Sequence, residues 1–227
     1  MLVPLGALEQ HGPHLPLATD AIIAVAVADR VAECAGDLLV APCLPVGCSD
    51  HHLAFPGTVS LPRELVAGYL RSLVESLLGA GFRRAYLFSG HAGNIPAMED
   101  AVRSLRPRWR ERTAVFSDWP GQRAALHGWA EKALGLPAEE VGSHAGHFET
   151  SIMLRLAPGL VDMDAARAGY IGSPEDASRR MAERGMQSVS EAGVVGDPRS
   201  STAEAGDGYL AILVDTVCSF IERDRKR

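Results

Sequence analysis

The sequence predicts an α/β fold, with helices layered on a mainly parallel sheet, as a single domain over residues 1–227. Three observations predict it. Short apolar runs alternate with stretches of helical periodicity, which is the pattern of successive βα units. Chemistry-bearing residues fall in loops that directly follow the apolar runs, where an open parallel sheet places its ligand crevice. Finally, 47% hydrophobic residues in a chain of 227 suffice for one sizeable core without disulfides or a structural metal.

Residues 2–5 form the first predicted strand. Thr19 or Asp20 then stands as N-cap or first-turn acid of a helix over 21–35. A second strand is predicted at 38–41, stopped by Pro42, which has no N–H for a ladder. Ser60 and Pro62 precede Leu65, Tyr69, Leu70, Leu73, Val74, Leu77 and Leu78, a helical spacing that ends at Gly79 and Gly81. Residues 84–89 read as a buried strand, 96–105 as a helix and 113–117 as a further strand. Helices are expected at 122–134, 149–156 and 203–223, the last long and amphipathic. Between them, 166–197 is rich in Gly, Ser and charge with weak periodicity, and is expected to be mobile or to contact another subunit.

Composition excludes several classes. The formal charge of −6 comes from interspersed acids and bases, with no Lys/Arg stripe of the kind a nucleic acid requires. No apolar run reaches the length of a membrane span, and the N-terminus lacks a signal-peptide pattern, so a cytoplasmic location is expected. Cys34, Cys43, Cys48 and Cys218 make no C-x-x-C pair, which favours reduced thiols. Cys43 and Cys48 with His51 and His52 are an alternative zinc set, at looser spacing than structural zinc favours.

Of the eight histidines, all but His127 lie in loop-like stretches. The run from Leu8 to Asp20 concentrates Glu9, His11, His14 and Asp20, two carboxylates and two imidazoles, in a rigid loop. Such a mix suits a hydrolytic divalent ion: imidazole ligates zinc, manganese or iron, and carboxylates bridge ions while leaving positions open for water. The alternative is a turn with solvated acids, and for His14 a capping role. His91 follows a strand in Ser89-Gly90-His91-Ala92-Gly93-Asn94, where it is either a ligand or a strand-end histidine bonded to backbone. No G-x-S-x-G elbow surrounds Ser89, which argues against a serine hydrolase. A third cluster, Gly142-Ser143-His144-Ala145-Gly146-His147-Phe148-Glu149, supplies a histidine able to protonate a leaving amine. Its Glu149 is either a metal ligand or a first-turn helix acid. His51 and His52 are placed in a long loop, lining the pocket or solvated.

Taken together, these motifs resemble the creatininase (creatinine amidohydrolase) family. The resemblance runs over nearly the full length. It rests on Pro4-Leu5-Gly6-Ala7-Leu8-Glu9-Gln10-His11-Gly12-Pro13-His14 with Asp20, Phe55-Pro56-Gly57-Thr58, Gly90-His91-Ala92-Gly93-Asn94, His144-Ala145-Gly146 with Glu149, and Gly196-Asp197-Pro198. It implies a three-layer α/β fold, a homo-oligomer (a hexamer in better-known members) and two divalent ions, Zn, Mn or Fe. By position, Glu9 and His91 hold one ion, His11 the other, Asp20 bridges both, and His144 is the catalytic histidine. Departures are informative. The family's namesake has a ligating glutamate where this chain has Gly93, for which Glu149 is the substitute, and another glutamate where this chain has Ser143. Of its aromatic clamp only Trp119 is matched, and His52, Trp119 and Ser143 are the expected substrate contacts. The chain is therefore of the H-x-G-N type and not a strict creatininase. Relatives of that type include a formamide hydrolase of flavin and deazaflavin synthesis and a peptidase that trims the mycofactocin precursor peptide. The chain begins at its first strand where relatives carry a preceding helical segment, which leaves Met1 as an internal start or a truncation.

The expected activity is hydrolysis of a C–N amide bond in a cyclic amide, formamide or short peptide, classed with hydrolases of non-peptide carbon–nitrogen bonds. Precursor-peptide cleavage, a lactone or sugar ring opening, and a non-catalytic metal- or ligand-binding role are the alternatives.

Overall fold

The structure, a computed structural model, describes residues 1–226. Strands β1 (Leu2–Leu5), β2 (Ala85–Ser89) and β3 (Thr113–Val115) pair in parallel in that order, with Leu5 opposite Ser89 and Leu87 opposite Val115. The strand expected at 38–41 forms only isolated parallel bridges, Val40 to Leu2 and Leu44 to Leu5. Ala41 N–H still donates to Leu2 O and Leu44 N–H to Pro4 O. Pro42 between them has no N–H to give, and the ladder breaks there.

Alternation along the strands divides the core into two layers. Leu2, Tyr86 and Phe88 face one side, packed with Val27 of α1 (Thr19–Ala35), Leu126 of α5 (Trp119–Leu134), Ile152 of α7 (His147–Leu156) and Leu213 of α9 (Ala203–Arg225). Val3, Leu5 and Leu87 face the other, against Leu70 and Val74 of α2 (Arg63–Gly79) and Met98 of α3 (Ile95–Ser104). Both faces of β1 and β2 are buried, the signature of a parallel sheet inside three layers. The short α4 (Pro107–Arg110) and α6 (Ala138–Val141) complete connections. No helix among the described residues is long and apolar enough to cross a membrane.

Two boundaries matter for the site. Helix α5 starts at Trp119 because Asp118 caps it, accepting from Gly121 N–H at 3.0 Å, and Pro120 suits the first turn. This places Trp119 on the helix. The segment 166–197 contains a helix, α8 (Pro174–Arg184), that periodicity did not reveal. Only Pro174 and Ala177 of it are buried, so there is almost no apolar stripe to read. Its start signals are conventional: Ser173 caps Asp176 N–H, Pro174 opens the helix, and Glu175 and Asp176 fill the first turn.

Helix α7 carries Glu149 into the interior, and Ile152 on it is fully buried between sheet and helices. Ile152→Ala is expected to lower stability by about 2–5 kcal/mol, measured by urea unfolding. A loss under about 0.5 kcal/mol, the scale of surface substitutions, would contradict this packing.

Candidate metal centre

Because β1 and β2 are adjacent and in register, the loops leaving them open into one crevice. Asn94 ties those loops together. Its Nδ2 donates to Gly6 O at 2.9 Å and to Ser89 Oγ at 3.0 Å, while its Oδ1 accepts from Cys48 N–H at 2.8 Å. A Cβ at residue 90 would collide with the Asp20 carbonyl, so glycine is what lets the end of β2 approach the first turn of α1.

Glu9 and His11 from the β1 loop, Asp20 from α1, His91 after β2, and Glu149 from α7 thus meet in the interior with His144, none more than 6% exposed. His11 Nε2 lies 3.2 Å from Asp20 Oδ1 and 3.8 Å from Glu149 Oε2. His91 Nδ1 lies 3.2 Å from Glu9 Oε1 and 3.5 Å from Asp20 Oδ2. The ligand atoms fall into compact groups of three: Glu9, Asp20 and His91; His11, Asp20 and Glu149; and Glu9, His11 and His144. Asp20 belongs to the first two, contributing one oxygen to each side.

Backbone carbonyls orient the rings. His11 Nδ1 faces Glu9 O at 3.1 Å and His91 Nε2 faces Cys48 O at 3.0 Å. A carbonyl only accepts, so each of these nitrogens carries a proton and the opposite nitrogen is aimed at the carboxylates. Both oxygens of Glu9, His11 Nε2 and Asp20 Oδ2 are buried without a hydrogen-bond partner among the described residues. Buried polar atoms are normally paired. Four such atoms converging in one place, all imidazole or carboxylate, fit a divalent ion of the zinc, manganese or iron type. No cysteine belongs to these groups: Cys48 contributes its carbonyl, and the Cys43 thiol faces Leu44 O.

Electrostatics point the same way. No Lys or Arg pairs with Glu9, Asp20 or Glu149 among the described residues; only histidines do. Burial opposes charge on the His11 ring, yet Asp20, with Glu149 and Glu9 behind it, raises its pKa to about 10. His91 is raised to about 9 against the same burial, chiefly by Glu9. Burial would raise Glu9, but His91, His52 and His144 hold it well below the usual carboxylate range. Burial raises Asp20, and raises Glu149 to about 7. The cluster demands positive charge, which a divalent cation supplies through the same lone pairs.

His144 is set by strained and strapped backbone. Ala145 sits at φ 51°, a left-handed conformation rare for a non-glycine residue, and this aims its N–H at Glu149 Oε2 at 2.5 Å. Val195 bridges His144 on one side and Tyr170 on the other, so part of the segment expected to be mobile or to contact another subunit forms a small strap behind the site. His144 Nε2 faces Gln10 O at 2.8 Å, leaving Nδ1 toward Glu9 Oε1 at 3.7 Å. Burial, then the charge of His11, holds His144 well below its ordinary value. Gln10, not singled out from the sequence, links the set: its side-chain amide donates to His52 Nδ1 at 2.9 Å and accepts from Gly12 N–H at 2.9 Å. Its position between two candidate ligands was the only available signal.

Residue 93 is glycine for a local reason. A Cβ there would run into His91 Nε2 and Cys48 O, the pair that orients His91, and would lie 3.0 Å from the His51 ring. His51 instead stacks on His91, with centroids 5.3 Å apart and planes within 9°. Glu149 stands across the cluster, where it both accepts from Ala145 N–H and approaches His11. The centre opens into a cleft of about 510 Å³, lined in part by His52, Trp119, Ser143 and His144, with Ser178 and Met181 of α8 at its wall.

A family model described as creatinine amidohydrolase matches residues 1–221. A mycofactocin precursor peptide peptidase of Mycobacterium ulcerans is 35% identical over 231 residues, 98% of this chain and 84% of the relative. The creatinine amidohydrolase of Pseudomonas putida is 31% identical over 247 residues, covering 99% of this chain and 89% of the relative. Among solved structures, a creatininase mutant of Zn-Zn type superposes with a TM-score of 0.74 at 27% identity, covering 98% of this chain and 89% of that one.

His14 stands apart from the ligand groups. It is 2% exposed, its Nε2 contacts Thr150 Oγ1 at 2.9 Å, and burial, then the charge of His11, lowers it from 6.5 to about 4. A folded pKa below the unfolded one means that acid protonates the unfolded chain first. The His14 contribution is therefore complete above pH 6.5 and is lost as pH falls toward about 4. His14→Gln is expected to flatten the stability-versus-pH curve over that window, followed by urea midpoints. An unchanged slope would show that His14 is not held neutral.

Proposed function

The chain belongs to the creatininase family, and from that premise we propose that it is a metal-dependent amidohydrolase acting on the amide bond of a short or modified peptide. The observation that carries this reading is the sharing of Asp20 between two three-residue ligand groups in which both Glu9 oxygens, His11 Nε2 and Asp20 Oδ2 are buried without hydrogen-bond partners among the described residues. In this assignment Glu9, Asp20 and His91 hold one divalent ion, and His11, Asp20 and Glu149 hold a second. Glu149 thereby takes the part that Gly93 cannot play. The chemistry supplied by two bound ions is a water with its pKa lowered toward about 7 and a polarised scissile carbonyl.

The chain's own groups do the rest. In this assignment the Nε2–H of His144 donates to the Gln10 carbonyl at 2.8 Å, with the Gln10 side-chain amide nitrogen 3.0 Å from the same ring nitrogen, and Nδ1 presents its lone pair toward the centre. In the same assignment the neutral ring takes a proton from the attacking water and passes it to the departing nitrogen. Ser143, Trp119 and His52 line the cleft where substrate sits. A peptide substrate is favoured over creatinine for two reasons. Relatives named as precursor peptide peptidases reach 35–37% identity against 31% for the creatinine amidohydrolase, and the cleft holds more than one small ring. This moves the substrate class away from non-peptide amides.

A second role for His144 is favoured by one observation, the grouping of its ring with Glu9 and His11 at ligand distance. One experiment separates the two. Purified protein is analysed for metal and assayed on short peptides, formamides and cyclic amides before and after chelation. Activity is expected to fall at least about 100-fold on chelation and to return with manganese or zinc; activity that survives complete metal removal would sink the assignment. His144→Asn is expected to lower kcat by about 10²–10⁴ with metal content unchanged, and loss of an ion in that variant would reassign His144 as a ligand.

A further inference from the structure

The cleft above the metal centre contains a polar edge that the hydrolytic chemistry leaves unused. Trp119 and Arg123 stand one helical turn apart on α5, share a face, and both line the cleft. Arg123 is the one Lys or Arg among the residues lining it. Much of the surrounding wall is apolar, including Ile23, Phe88, Leu126, Phe148 and Leu213. Trp119, one of the lining residues, also carries an unpaired donor. The indole Nε1 of Trp119 is buried and has no hydrogen-bond partner among the described residues, although an indole N–H can only donate.

Arg123 is likewise incompletely engaged. One terminal nitrogen donates to Ser178 Oγ at 3.1 Å and the other to Glu175 Oε1 at 3.3 Å, both on α8. The remaining N–H groups of its fork have no partner among the described residues. The Glu175 side chain is 73% exposed against 25% for Arg123, so this ion pair is open to solvent and weak. It offers little competition to an anion brought in through the cleft. Ser178 meanwhile helps to fix the plane of the guanidinium.

We propose that Arg123 and the Trp119 indole N–H form a carboxylate-recognition edge, so that the substrate is an amide carrying a free carboxylate, as the C-terminal part of a peptide does. This deepens the amidohydrolase assignment and rests on it. A planar fork matches a carboxylate in two places, and the indole adds a third donor. Anchoring has a second consequence. A free carboxylate is itself a ligand for a divalent ion, and holding it at Arg123 leaves the amide carbonyl to meet the centre.

The test uses zinc-loaded protein with ¹⁵N-labelled tryptophan, titrated with N-acetyl-Gly-Phe as the free acid and as its C-terminal carboxamide. The resonance of Trp119 among the three tryptophans is assigned with Trp119→Phe. In the wild type the acid is expected to bind at least about tenfold more tightly than the carboxamide, and only the acid should move the Trp119 indole resonance. In Arg123→Gln the ratio should fall close to one, and Arg123→Lys, which keeps the charge but loses the fork, should recover only part of it. Equal binding of acid and carboxamide by the wild type would overturn the proposal. So would an acid preference that survives in Arg123→Gln, because the carboxylate would then be held elsewhere. Failure to hydrolyse any amide would remove the amidohydrolase assignment by itself, while the affinity ratio would still decide for or against the carboxylate edge.

Discussion

Bringing Glu9, Asp20 and Glu149 together in the interior costs free energy that packing does not return, because each carboxylate loses water and stands near other acids. No Lys or Arg among the described residues pairs with them, and histidines alone surround them. That constraint explains the rest of the site. Ring nitrogens are aimed by carbonyls so that their free sides face the acids, and Asp20 stands where both halves of the cluster need an oxygen.

The fold supplies this arrangement with little freedom left over. Parallel strands in register put the β1 and β2 loops side by side, and Asn94 knots those loops to residue 48 with three hydrogen bonds. Helix α7 delivers Glu149 from the same layer as α1, and the Val195 strap bridges the His144 backbone. Hydrogen-bonded loops and two helices therefore hold the candidate ligands, which is what a site needs to keep lone pairs aimed at one another. The segment 166–197, expected to be mobile or to contact another subunit, contributes to the cleft: Val195 backs His144, and α8 carries Ser178 and Met181 to its wall.

Much of this was legible in the sequence for physical reasons. β1 and β2 are short runs buried on both faces and α2 buries a single helical stripe, so their patterns read directly. Glu9, His11, Asp20 and His91 stood out because loops that leave strands carry few reasons to concentrate imidazoles and carboxylates other than a ligand. Other features depend on contacts between segments distant in the chain. Gln10 gains its meaning only once His52 and His144 arrive beside it, and Gly93 only once His91 turns to Cys48. Arg123 carries no local sequence signal and lines the cleft only because α5 runs along it. Helix α8 escaped because it buries little, and 38–41 was over-read because local apolarity does not register the break that Pro42 imposes.

The most direct measurement of the central claim is an anomalous-difference map from crystals of the protein loaded with zinc, collected at the zinc edge. Two peaks are expected, both in contact with the Asp20 carboxylate, one also meeting Glu9 and His91 and the other His11 and Glu149. A single peak, or a pair that does not share Asp20, would contradict the account.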